Sequence, residues 1–139
     1  YTSGALILSN DGDFIFEVTH PKHEITKTYQ VTLKGRITEA EINQLKQGVD
    51  IGGYVTRPAK VRIMKIDEEK EISRIEITIH EGKNRQVRRM CESIGKKVIA
   101  LHRSKIGDIT VKDLKLGEWR YLKAEEVKEF KGGKKYGRR

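Results

Sequence analysis

Residues 25–33 alternate without a break. Ile25, Lys27, Tyr29, Val31 and Leu33 share one parity, and Thr26, Thr28, Gln30 and Thr32 share the other, which predicts a half-buried strand. Residues 72–79 alternate as well, with Ile75, Ile77 and Ile79 on one face and Arg74, Glu76 and Thr78 on the other. Joined to the apolar run 61–66 through the charged loop 67–71, they predict a hairpin. Thr38 and Glu41 have the spacing of a capping box, and Ile37 and Ile42 that of a hydrophobic staple. The helix they open is predicted to end near Gly48 in a left-handed cap. A second helical stripe, Val87, Met90, Cys91 and Ile94, spans residues 84–94 and is closed by Gly95.

The remaining segments are shorter. Leu6, Ile7 and Leu8 form an apolar run that stops at a turn over residues 9–13, and residues 14–18 suggest a short helix. Val98, Ile99 and Leu101 begin another strand, and a Gly117 turn precedes Trp119 and Tyr121. A last short helix is expected over residues 124–130. Antiparallel hairpins with two or three inserted helices give an α+β class. The chain opens in mid-pattern at Tyr1-Thr2-Ser3-Gly4, as the downstream part of a longer, N-terminally truncated domain would. Residues 1–130 are expected to form that partial domain, and residues 131–139 a disordered basic tail.

Charge changes the picture. The 139 residues carry a net charge of +9, with 35% of them charged and 36% hydrophobic. Lys83, Arg85, Arg88, Arg89, Lys96, Lys97 and Arg103 crowd residues 83–103 against Glu92 alone, and five more cations fill the tail. The rest of the chain is slightly acidic. Basicity gathered at two loci points to a polyanionic partner, because clustered cations release condensed counterions from phosphate backbones. No apolar stretch approaches the roughly 20 residues of a membrane-spanning helix, so no membrane partner is expected. The single cysteine, Cys91, leaves no intramolecular disulfide and fits a reducing, cytoplasmic setting.

Candidate chemistry lies in two places. His20, His23, His80 and His102 lack the spacing and cysteine partners of a metal site, so no metal is expected. Lys27 and Tyr29, on the core parity of their strand, are more informative. An ammonium there belongs at a cleft or beside a carboxylate, and the ring offers a stacking face for a base. The stretch Glu81-Gly82-Lys83-Asn84-Arg85-Gln86-Val87-Arg88-Arg89-Met90 passes through a glycine turn into a helix N-terminus. At 100° per residue, Arg85 and Arg89 lie opposite the apolar stripe, suited to phosphates, and Arg88 falls on its shoulder, suited to a carboxylate held in a cleft.

Taken in order, Thr2-Ser3-Gly4-Ala5-Leu6, Lys27-Thr28-Tyr29 and the stretch from Glu81 to Met90 resemble the catalytic domain of RsuA-type ribosomal RNA pseudouridine synthases. Pro58-Ala59, Leu101-His102-Arg103, and Leu114 to Arg120 extend the resemblance to about Phe130. It implies a mixed, mostly antiparallel sheet and isomerisation of uridine to pseudouridine in ribosomal RNA, without cofactor or metal. By motif position, Tyr29 packs on the target base, and Arg88 pairs with a catalytic aspartate expected upstream of Tyr1. Lys27, Lys83, Arg85, Arg89 and Arg103 are expected to meet the RNA. On this reading the chain alone is inactive, and an open sheet edge invites pairing between copies. A non-catalytic module that docks on ribosomal RNA is the alternative.

Overall fold

The computed structural model describes residues 2–7, 25–111, 114, 118 and 120–126. The expected helix over residues 14–18, the Gly117 turn, Trp119 and the basic tail lie outside the described residues. Among the described residues six strands form one sheet: β1 (Thr2–Gly4), β2 (Lys27–Lys34), β3 (Lys60–Asp67), β4 (Ile72–Ile79), β5 (Val98–Ile106) and β6 (Ile109–Thr110). Helix α1 spans Glu39–Gln47 and α2 spans Gln86–Ser93. Residues 124–126 are also helical. The strand order is β1-β5-β2-β4-β3, with β6 paired to β5. Only β1 with β5 is parallel, so the sheet is mixed and mostly antiparallel, an α+β fold.

Both helices cover one face of this sheet. Val31 and Leu33 of β2, Ile75, Ile77 and Ile79 of β4, and Leu101 of β5 pack with Ile37, Ile42 and Leu45 and with Val87, Met90 and Cys91. The parity read from residues 25–33 and 72–79 therefore names the core face. The capping box is formed in both directions: Glu41 N donates to Thr38 Oγ1 at 3.2 Å, and Thr38 N to Glu41 Oε1 at 2.9 Å. Ile37 and Ile42 are both buried, as a staple requires. Buried Ser73 joins this end of α1 to β4, donating to Gly35 O at 2.7 Å and accepting from Ile37 N at 3.0 Å.

Two expectations are corrected, the Gly48 cap and the start of the second helix. Gly48 ends α1 with φ 119° and ψ 143°, which is not a left-handed cap. A Cβ there would come 2.3 Å from Thr56 O, so glycine serves the close approach of the returning chain. A strand, Thr2–Gly4, precedes the apolar run, whose Leu6 is exposed. Helix α2 starts at Gln86 because Arg85 takes a left-handed conformation, φ 54° and ψ 35°, in front of it. Strand β5 begins at Val98 as expected and runs on through the polar residues 102–105, held between β2 and β1.

Candidate active site

Antiparallel pairing brings the start of β2 beside the end of β4, with Lys27 opposite Ile79 and Tyr29 opposite Ile77. Beyond Ile79 the chain turns through Gly82 and enters α2, which packs on the same face through Val87, Met90 and Cys91. The first turn of α2 therefore stands over the first residues of β2. A cavity of about 670 Å³ opens there, lined by Lys27 and Tyr29, by residues 79–83 and 85–88, and by Leu101, Arg103 and Ile106. Residues 3–7 form its remaining wall, so the cavity borders the beginning of the chain.

A bulge tunes the lining. Thr28 pairs with Lys105, but Tyr29 pairs with Arg103, which leaves Ser104 as the extra residue, its hydroxyl on Thr28 O at 3.2 Å. The slip turns Arg103 to the same side as Tyr29 and Ile106. Arg103 then donates through Nε and Nη2 to Ala5 O, while Ala5 N donates to Arg103 O at 2.7 Å. Gly4 makes this entry tight. Its φ is +126°, and a Cβ would lie 2.3 Å from both Arg103 N and Arg103 O.

The structure brings Tyr29, Arg88, Lys27, Lys83, Arg85 and Arg103 into this one lining. Arg88 is buried, whereas Lys83 and Arg85 are exposed at the mouth. Lys27 lies at the cleft side rather than beside a carboxylate, its Nζ 3.4 Å from where a Gly82 Cβ would stand. Burial, and then the charge of Arg103, lower its pKa from the usual lysine value. Arg89 is placed elsewhere. Its guanidinium donates to Ile51 O and, at 3.3 Å, to Asn84 O, so it holds the turn after α1 against α2 and does not line the cavity. Lys96, part of the basic cluster, is bonded to Glu41 Oε2 at 3.1 Å. Cys91 is buried, and burial first, then Glu92, pushes its thiol up to about 12.

Glu81 went unrecognised in the sequence pattern, although it is the one carboxylate in the described lining. It is buried and accepts from Tyr54 Oη, from Arg57 N at 2.8 Å and from Gln86 Nε2 at 2.9 Å. Burial alone would raise its pKa, but these bonds outweigh burial and hold it below the usual carboxylate range. Beside Glu81 the lining carries five cations, Lys27, Lys83, Arg85, Arg88 and Arg103, among apolar side chains.

Comparisons with known proteins bear on the family and the fold. The family model described as RNA pseudouridylate synthase matches residues 1–93. Ribosomal large subunit pseudouridine synthase B of Bacillus subtilis is 41% identical over 137 residues, 99% of this chain and 56% of that protein. Ribosomal small subunit pseudouridine synthase A of Vibrio cholerae is 41% identical over 129 residues, 91% of this chain and 53% of that protein. The chain thus spans about half the length of the curated relatives it matches. A crystal structure of a pseudouridylate synthase superposes with a TM-score of 0.83 at 35% identity, covering 93% of this chain and 55% of that one. A chain of an archaeal box H/ACA ribonucleoprotein complex, 14% identical with a TM-score of 0.61, shares the fold. On the match to more than half of its residues, this chain belongs to the RNA pseudouridylate synthase family.

Proposed function

We propose that this domain forms the larger part of an enzyme that converts specific uridines of ribosomal RNA to pseudouridine. The target nucleotide leaves its stack and enters the cavity, where Tyr29 packs on the base. Arg88 pairs with a nucleophilic aspartate supplied by residues that precede Tyr1. That carboxylate attacks the uridine, the glycosidic C–N bond breaks, and the detached uracil turns. It is rejoined to the ribose through C5, the carboxylate is displaced as that bond forms, and the C5 proton is released. Lys27, Lys83, Arg85 and Arg103 meet the RNA backbone, and Arg89 acts through the turn it holds. The chain alone lacks the nucleophile and is inactive on this reading, and copies can pair through the β1 edge.

The observation that supports this reading most is the convergence of Arg88 and Tyr29 on one cavity bordered by residues 3–7. Arg88 is buried in that lining, and the cavity borders the side from which residues preceding Tyr1 would enter. The test is tritium release from 5-tritiated uridine in ribosomal RNA by the protein extended upstream of Tyr1. Arg88→Ala in that protein is expected to abolish release while RNA affinity is largely kept. A folded, extended wild-type protein that releases no tritium overturns the proposal. Equal losses of affinity in Arg88→Ala and Arg85→Ala, with no turnover in their common parent, favour the non-catalytic module.

A further inference from the structure

A buried carboxylate in a basic, anion-seeking cavity is costly and repels the ligand unless its lone pairs are used elsewhere. Those of Glu81 are used to join two segments. Tyr54 Oη and Arg57 N come from the turn after α1, and Gln86 Nε2 comes from the first turn of α2. Gln86 passes the constraint on, its Oε1 accepting from Lys83 N at 3.0 Å. The Lys83 ammonium in turn sits over the Tyr54 ring, 4.4 Å from its centroid. The turn is secured twice more. Asp50 Oδ1 accepts from Gly52 N and Gly53 N at 2.9 Å each, and Arg89 reaches Ile51 O. Arg57 contributes its backbone amide to Glu81, and the residue itself is exposed.

We infer that Glu81 clamps the 50–57 turn to the 82–85 loop so that the two form one rim, and that Tyr54, Arg57, Lys83 and Arg85 on this rim grip the RNA strand flanking the nucleotide in the cavity. Three exposed cations beside an aromatic ring form a phosphate-tracking edge suited to single-stranded RNA. Glu81 is a positioning residue: it acts through Lys83 and Arg57 rather than on the base. This inference rests on the RNA reading of the cavity but not on turnover.

The test uses the extended protein and a ribosomal RNA fragment, with binding measured across a salt series beside turnover. Arg57→Ala is expected to weaken binding several-fold and to lower the slope of log K against log salt by about one. Glu81→Gln places an amide N–H against existing donors, so KM is expected to rise more than kcat falls. Tyr54→Phe, which keeps the ring under Lys83, gives a smaller effect of the same kind, and the double variant less than the sum of the two. An unchanged salt slope in folded Arg57→Ala overturns the rim as an RNA surface. A Glu81→Gln variant that loses kcat at unchanged KM overturns its positioning role. If Glu81→Gln does not fold, Arg57→Ala still decides. Binding with these losses but no tritium release sinks the proposed reaction and leaves the rim standing.

Discussion

Replacing Lys27 by methionine separates stability from function. The side chain begins β2, is half-buried at the cavity, and pairs with no carboxylate among the described residues. Burial and the neighbouring Arg103 charge both disfavour its ammonium. Methionine keeps the stem and drops the charge. An unsatisfied polar group typically costs about 1–3 kcal/mol in mutational data, and partial exposure with solvent screening brings the figure here to about 1 kcal/mol. Lys27→Met is therefore expected to raise the melting temperature of the chain by about 3 °C near neutral pH. In the window between the lowered folded pKa and 10.5, the folded state binds fewer protons than the unfolded one. Wild-type stability rises with pH through that window, and the advantage of the variant shrinks there. In the extended protein the same change is expected to weaken RNA binding and to reduce the salt slope by about one. Melts at about pH 7 and about pH 10, with binding across salt, read both effects. A variant less stable than wild type at neutral pH, or an unchanged salt slope, refutes the reasoning.

Other consequences are local. Gly4→Ala sets a Cβ against the Arg103 backbone at positive φ; it is expected to cost about 1–3 kcal/mol and to speed hydrogen exchange at the Ala5 amide. Ser73→Ala leaves the Ile37 amide and the Gly35 carbonyl without their buried partner, a loss of about 2 kcal/mol readable in urea unfolding. Arg120 holds the Glu126 carboxyl at about 2, chiefly through their hydrogen bond. Because that pKa is depressed, the contribution is complete above the ordinary value of 4.5 and is lost as pH falls toward about 2. In this screened setting it is worth about 1 kcal/mol at most. Arg120→Ala is expected to return Glu126 to the ordinary range in an NMR titration.

Signals confined to a few neighbouring residues were legible. The capping box, the staple, and the parity of β2 and β4 depend on spacing alone, and all took the expected form. Features that need a distant partner were not. Strand β1 exists because β5 pairs with it across about a hundred residues, which no local pattern signals. The polar stretch from His102 to Lys105 has no strand periodicity of its own, and it is ordered by neighbours on both sides. Arg89 sits opposite the apolar stripe, as helical geometry required, yet a carbonyl from the 50–54 turn captures it. Glu81 looked like one more charge in a charged run because two of its donors lie 24 and 27 positions away.

The site was nevertheless within reach, and the reason is topological. Two antiparallel neighbours must place the start of one and the end of the other at the same edge of the sheet. Lys27-Thr28-Tyr29 starts β2, and the Glu81–Met90 stretch follows the end of β4, so their meeting requires only that these two strands pair. Parity then selects the face: Tyr29 shares it with Val31 and Leu33, and the Val87 stripe packs α2 on the same side. Arg88, on the shoulder of that stripe, lines the same cavity as Tyr29. The one element this argument cannot supply is the β5 bulge, which depends on Ser104 being looped out against Thr28. Were Ser104 instead paired with Tyr29 in regular register from Ile106, Arg103 would turn to the opposite face and give up its side-chain contacts with Ala5. The wall formed by residues 3–7 would then lose the anchor that sets it beside the cavity.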